Sequence, residues 1–256
     1  MTGRIVVFLG PTMPRPEAAA VLEADYRPPA EQGALVRAAL EERPQAVVLI
    51  DGQFGRVPAI RHKEILWTLA QGIPVYGAAS MGALRAAELG PYGMRGHGLI
   101  YRWYRRTPLA DDDAVAVAMA PVEIGGAALG EALVNMRLTL RRAVRAGVLP
   151  VALRAPLAAA AGALYFLDRS YENLIAASRG RLPDAALDRL AAWIPGNAVD
   201  QKRADALGLL RRLAETPVRA PDSVPVFEMT EAFAHDLDAA GLLTDTLFAL
   251  RPPERR

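Results

Sequence analysis

An α/β fold is expected of this chain, with a mainly parallel sheet flanked by helices in the N-terminal half and an all-helical C-terminal region packed on it. Three apolar, β-branched runs recur within the first eighty residues: RIVVFL (4–9), QAVVLI (45–50) and GIPVYG (72–77). Between the last two lies a helical pattern, PAIRHKEILWTLAQG, with Pro58 near its start and Gly72 just past its end, positions where a missing N–H and a free φ suit a helix. Near-continuous apolar strands that alternate with helices predict a parallel sheet covered on both faces. After about residue 127 the strand signals stop.

Each strand run justifies its element. None alternates polar with apolar, so both faces of each strand are expected to be buried, and each ends in a glycine-containing turn: Gly10-Pro11-Thr12, Asp51-Gly52 and Gly77-Ala78-Ala79-Ser80. In sheets of this type ligands collect at the carboxyl ends of the strands. The later text is helical: GEALVNMRLTLRRAVRAG, APLAAAAGALYFL, YENLIAASRG, PDAALDRLAAWI and DQKRADALGLLRRLAE. Short Pro and Gly breaks separate these segments, which predicts close packing on the sheet in place of a free second domain. The division expected is an α/β core over residues 1–125 and a helical region over 126–256, packed as one unit. The tail RPPERR is expected to fray.

Composition narrows the function classes. The chain has 256 residues, 52% of them hydrophobic, enough for a substantial core. It contains no cysteine, which removes disulfides, thiolate metal sites and a cysteine nucleophile together. The apolar run at the N-terminus stops at Gly10 and Pro11, too short for a signal-peptide core, and no later run reaches membrane-spanning length, so a cytoplasmic protein without a membrane role is expected. A formal charge of only +2 does not indicate a strongly electrostatic nucleic-acid binder.

The junction GAASMG, residues 77–82, is the most informative stretch. Ser80 follows a buried strand and precedes a helix, so its hydroxyl lies near the unsatisfied amides of the first helical turn. Two roles fit that place. Serine is a routine helix N-cap; strand, sharp turn, serine, helix is also the logic of a nucleophile elbow, although the spacing here is not G-x-S-x-G. A nucleophile needs a base, and the imidazoles available are His62, His97 and His235. His62 lies one turn into the helix after the Asp51 strand, so Asp51, His62, Glu64 and Ser80 are expected on one rim of the sheet. His62-Lys63-Glu64 fits a solvated helix start equally.

Other motifs have simpler accounts. LIYRWYRRTP interleaves aromatics with arginines and could stack a nucleic-acid strand, but it also reads as an amphipathic surface segment, and no nucleic-acid partner is expected. Asp111-Asp112-Asp113 could hold a divalent metal, yet acidic residues opening a helix over DDDAVAVAM favour its positive end without one; no metal is expected. No Walker-type phosphate loop and no dinucleotide fingerprint occurs, so no cofactor is expected.

The stretch DGQFGRVPAIRHKEILWTLAQGIPVYGAASMGALRAAELGPYGMRGHGLIYRWY resembles the core of the TfuA-like proteins, through D-G-x-F, P-A-x-x-H-K-E-I-L and G-A-A-S-M-G-A-L-R-A-A-E-L. The similarity extends back through FLGPT and YRPPAEQG and forward through DDDAVAV, ALVNMR and VDQKRADA. One departure is Met119, where many members of the family carry histidine. The resemblance implies a role in natural-product biosynthesis and peptide thioamidation beside a YcaO enzyme, which uses ATP to activate a backbone amide so that sulfur replaces its oxygen. It implies that the chain supplies the sulfur, by hydrolysing the C-terminal thiocarboxylate of a ThiS-like carrier protein to release sulfide. YcaO, the carrier and the precursor peptide are the partners so implied.

That task gives the junction a chemistry. A thiocarboxylate offers an acyl carbon and a sulfur leaving group, so Ser80 is expected as nucleophile, His62 as base, Asp51 or Glu64 as its orienter, and the Met81 and Gly82 amides as oxyanion donors. Gly77, Ala78, Ala79 and Gly82 are expected to line a narrow mouth for the small-residue tail of the carrier. Arg85 either pairs with Glu88 on its own helix or anchors the negative charge of the thiocarboxylate. The alternative function is a non-catalytic adaptor that docks carrier or peptide onto YcaO.

Overall fold

In the computed structural model, which describes residues 4–249 apart from 54–57, 108–109, 122–125 and 222–223, five strands form one parallel sheet. They are β1 (Ile5–Phe8), β2 (Asp25–Arg27), β3 (Ala46–Leu49), β4 (Val75–Ala78) and β5 (Arg95–His97), in the spatial order β2-β1-β3-β4-β5. The three apolar runs of the sequence are the interior strands β1, β3 and β4. Their pattern is unbroken because alternate residues feed two cores: Val6, Phe8, Val47 and Leu49 face one, and Ile5, Val7, Ala46 and Val48 the other. β2 and β5 carry Asp25, Arg27, Arg95 and His97 and were not anticipated. They are three-residue edge strands, and their charged side chains mark them off from the apolar interior strands.

Helices α1 (Arg15–Ala19), α2 (Ala34–Glu42), α3 (His62–Ala70), α4 (Met81–Leu89) and α5 (Gly98–Arg106) belong to the N-terminal half. α2 and α3 cover the first face, while α1 lies on the second. The winding therefore reverses between β1 and β3, whose carboxyl ends form the crevice where sheets of this kind bind ligands.

The C-terminal half is helical: α6 (Leu133–Arg145), α7 (Val151–Ala163), α8 (Tyr171–Ser178), α9 (Asp184–Trp193), α10 (Gln201–Glu215), α11 (Glu231–Ala239) and α12 (Leu243–Ala249). α6 to α9 build a cluster of their own around Leu140, Leu157 and Leu187. α10 does something else. Its Ala206, Leu207, Leu209, Leu210 and Leu213 cover the second face of the sheet, and Phe233 and Leu237 of α11 join the first core.

The helix expected over DDDAVAVAM is shorter than the sequence suggested. A single 3-10 turn spans Asp112–Val115, and Ala116 is extended, with φ −68° and ψ 139°. The chain then runs out to Met119, which bridges Ala128. β-branched Val115 and Val117 suit this extended course better than a helix, and it leaves the Val115 carbonyl directed at the carboxyl edge of the sheet. Phe54 and Gly55 of the DGQFG motif, and the tail 250–256, lie outside the described residues.

Candidate active site

Ser80 stands between β4 and α4 on a tight turn. The Ser80 amide donates to the Ala78 carbonyl at 2.8 Å across Ala79, a γ-turn in which Ala79 takes φ +67°. A side chain at positive φ in a turn of that kind costs about 1–3 kcal/mol and is concentrated at functional junctions. Two glycines let the junction close: a Cβ on Gly82 would lie 1.7 Å from the Leu49 oxygen, and one on Gly77 would lie 2.1 Å from the Gly82 oxygen. The expected mouth of Gly77, Ala78, Ala79 and Gly82 is thus a packing seam. All four are buried, and they join strand to helix without lining an entrance.

The Ser80 hydroxyl occupies the N-cap position of α4 but makes no capping hydrogen bond. Its recorded contact is a long one, 3.5 Å to the carbonyl oxygen of Val115. That same oxygen accepts from the ammonium of Lys202 at 2.9 Å. Serine hydroxyl and lysine amine therefore converge on one point, and both residues are nearly inaccessible, at 6% and 4% exposure. Burial lowers the pKa of Lys202 from its ordinary value; the negative charges of Asp51, Asp200 and Glu131 oppose that shift without cancelling it. A lysine so placed can take a proton from a neighbouring hydroxyl.

Lys202 was not among the residues singled out from the sequence. A signal existed: in DQKRADALGLLRRL it shares one helical face with Ala206, Leu209 and Leu213, where a lysine among buried residues is costly unless used. Its backbone is held as well. Asn135 Oδ1 accepts from the Gln201 amide at 2.9 Å and the Lys202 amide at 3.4 Å, and Asp200 caps α10 through the Arg203 amide. ALVNMR and VDQKRADA, 66 residues apart, meet through these contacts.

Asp51, 1% exposed, ends β3 at the crevice. It accepts from the Gly10 amide at 2.9 Å, the Thr12 amide at 3.1 Å and the Thr12 hydroxyl at 2.7 Å. It ties the β1 loop to β3 and presents negative charge to Lys202. Against that loop opens a mainly apolar cleft of about 410 Å³, lined by residues that include Pro11, Met13, Pro29 and Met119. The Val115–Met119 segment thus borders both the Ser80–Lys202 pair and the cleft.

The remaining expected residues lie elsewhere. His62 hydrogen-bonds Glu88 at 2.8 Å and Arg85 at 3.3 Å on the exposed side of α3, and Glu88 is about 12 Å along α4 from Ser80 at a helical rise of ~1.5 Å per residue. No hydrogen bond joins His62 to Ser80 or Asp51 among the described residues, and the group that shares a contact with the Ser80 hydroxyl is Lys202. Arg85 forms the i,i+3 ion pair with Glu88 at 2.7 Å, so its simpler role is the one found. Hydrogen bonds from His62 and Arg85 hold the Glu88 carboxyl below its usual value against the opposing effect of burial.

Glu64 is buried, accepts from the Gly33 amide at 2.7 Å and the Arg61 amide at 3.2 Å, and closes the starts of α2 and α3. Of the two oxyanion donors expected, the Gly82 amide is spent on the Ile50 carbonyl at 3.2 Å, whereas the Met81 amide meets no acceptor among the described residues. Asp111 and Asp113 diverge into ion pairs with Arg137 and Arg169. Among the described residues no cluster of His, Asp and Glu is placed to hold a metal ion, and no helix is long and apolar enough to cross a membrane.

Residues 51–170 match the family model described as TfuA-like protein. The match includes Asp51, Ser80 and Val115 and stops short of Lys202. A comparison with curated proteins finds no match to the chain.

Proposed function

We propose that this chain, whose residues 51–170 are a TfuA-like domain, hydrolyses the C-terminal thiocarboxylate of a ThiS-like sulfur-carrier protein and so supplies sulfide for thioamidation of a peptide backbone by a YcaO enzyme. The observation that carries this reading is the uncapped Ser80 hydroxyl sharing the Val115 carbonyl with the buried amine of Lys202.

The steps follow from the placement. Neutral Lys202 accepts the Ser80 proton as Oγ bonds to the acyl carbon. The Met81 amide faces the developing oxyanion. The C–S bond breaks, sulfur takes the proton from Lys202 and leaves as hydrosulfide, and an ester links the carrier to Ser80. Lys202 then removes a proton from water, which attacks the ester, and Ser80 regains its proton as the carrier leaves with an ordinary carboxylate. Asp51 holds the β1 loop and offsets the transient charge on Lys202. The cleft of about 410 Å³ beside that loop admits the carrier tail.

Intact-protein mass spectrometry of the purified chain with thiocarboxylated carrier tests this. Conversion of the carrier to its carboxylate without YcaO supports hydrolysis, and a covalent adduct mapped to Ser80 identifies the nucleophile. A carrier left unchanged favours the adaptor alternative.

A further inference from the structure

We infer that the outer edge of β5 is a docking groove for an extended, acidic segment of a partner chain, which adds to the sheet as a sixth strand. The groove holds about 500 Å³ and is lined by all three residues of β5, by Tyr101 and Arg105 of α5 on one side and by Leu209 and Arg212 of α10 on the other. A second hollow of about 320 Å³ continues it past Arg212 toward Arg219. Arg212 lies ten residues from Lys202 on α10, about 15 Å along the axis, so this surface is separate from the Ser80 site.

Charge and backbone define the occupant. Among the described residues the lining contains no aspartate or glutamate, and burial, with smaller effects from Arg212 and Arg102, lowers the pKa of His97 from its ordinary value against the opposing charge of Asp205. The nearest carboxylate acting on His97, Asp205, is committed to the Ile100 amide and the Gln201 side chain. Arg95 serves as a strut, donating to the Tyr76 hydroxyl and to the carbonyls of Arg219 and Ala220. Arg105, exposed, is propped over the Tyr101 ring at 5.7 Å. Tyr101 in turn packs on Gly96, where a Cβ would come within 2.2 Å of the ring, so the ring that carries Arg105 is seated directly against the strand.

Among the described residues β5 pairs only with β4 and ends the sheet. A strand added there would point successive side chains to opposite faces, one toward Arg105 and the next toward Arg212. The segment that fits best therefore carries two adjacent carboxylates within a short extended run.

Fluorescence anisotropy with the full chain tests this, using a labelled octapeptide with a central Glu-Glu pair flanked by threonine and valine. Saturable binding is expected, at least tenfold weaker for the Gln-Gln peptide, for a version N-methylated at alternate amides, and for the Arg105→Glu, Arg212→Glu double variant. Arg141→Glu with Arg142→Glu, equal in charge and on the exposed side of α6, should bind as the unaltered chain does. Circular dichroism checks that both double variants fold. Equal affinity for the N-methylated peptide, no effect of the groove substitutions, absence of saturable binding, or pyrophosphate bound at Arg105 and Arg212 where the peptide is not, each overturns the inference.

Discussion

Ser80 and Lys202, 122 positions apart, meet at a single oxygen, the Val115 carbonyl, with the serine hydroxyl 3.5 Å and the lysine ammonium 2.9 Å from it. The longer contact leaves the hydroxyl more loosely held than the amine at the oxygen they share. The carbonyl is available because the chain leaves its 3-10 turn at Val115 and runs extended.

Lys202 must be neutral to act as the base, so kcat/KM for sulfide release is expected to rise with pH along one ionisation lying below the ordinary lysine value of 10.5. Lys202→Met should abolish that limb with the activity. Its stability should fall by about 1–3 kcal/mol, because the substitution takes from the buried Val115 carbonyl its closest donor. A pH profile indifferent to the Lys202→Met change would assign the limb to another group.

His62→Ala is expected to retain hydrolysis within a factor of about three, since the imidazole belongs to an exposed ion-pair cluster with Arg85 and Glu88, and such pairs contribute about 0–1 kcal/mol. Steady-state kinetics checks it. A loss of several powers of ten would restore the histidine as base.

Gly82→Ala should destabilise the chain by more than ~3 kcal/mol, because the new methyl would meet the backbone oxygen of Leu49, which cannot rotate away. Urea unfolding measures this. A midpoint unchanged by the substitution would mean that α4 can lift from β3 freely.

Burial pushes Glu64 up to about 7 from 4.5, against the opposing hydrogen bonds from the Arg61 and Gly33 amides. The folded chain therefore binds this proton more tightly than the unfolded one. The associated stability is full below about pH 4.5 and is lost as pH rises through 7, amounting to about 3 kcal/mol. Glu64→Gln should flatten that part of the stability curve, as followed by thermal unfolding across pH 4–8; a slope that survives the substitution assigns it elsewhere.

The interior of the sheet could be read from sequence because strands buried on both faces have no polar positions, as in IVVF, AVVL and VYGA. The edges could not: DYR and RGH are short and carry charged residues, and so resemble loops. Half of the candidate site was legible for a related reason. Asp51 and Ser80 sit at strand ends, where sequence position fixes place in the sheet. Lys202 reaches the site through a fold-back of the helical half onto the second face, held by Asn135, and no local pattern encodes that contact. His62 was misplaced because a helix start at the sheet rim leaves open which way its first side chain points, and here it points to α4.

The most direct measurement is sulfide release from a thiocarboxylated ThiS-like carrier by the purified chain, with Ser80→Ala alongside it and no YcaO present. The hydroxyl makes one long contact, so the variant should fold with stability changed by about 1 kcal/mol or less. Release should fall by several powers of ten, and adding Lys202→Met should lower it little further, as for residues that act as one unit. Full sulfide release by folded Ser80→Ala would contradict the account.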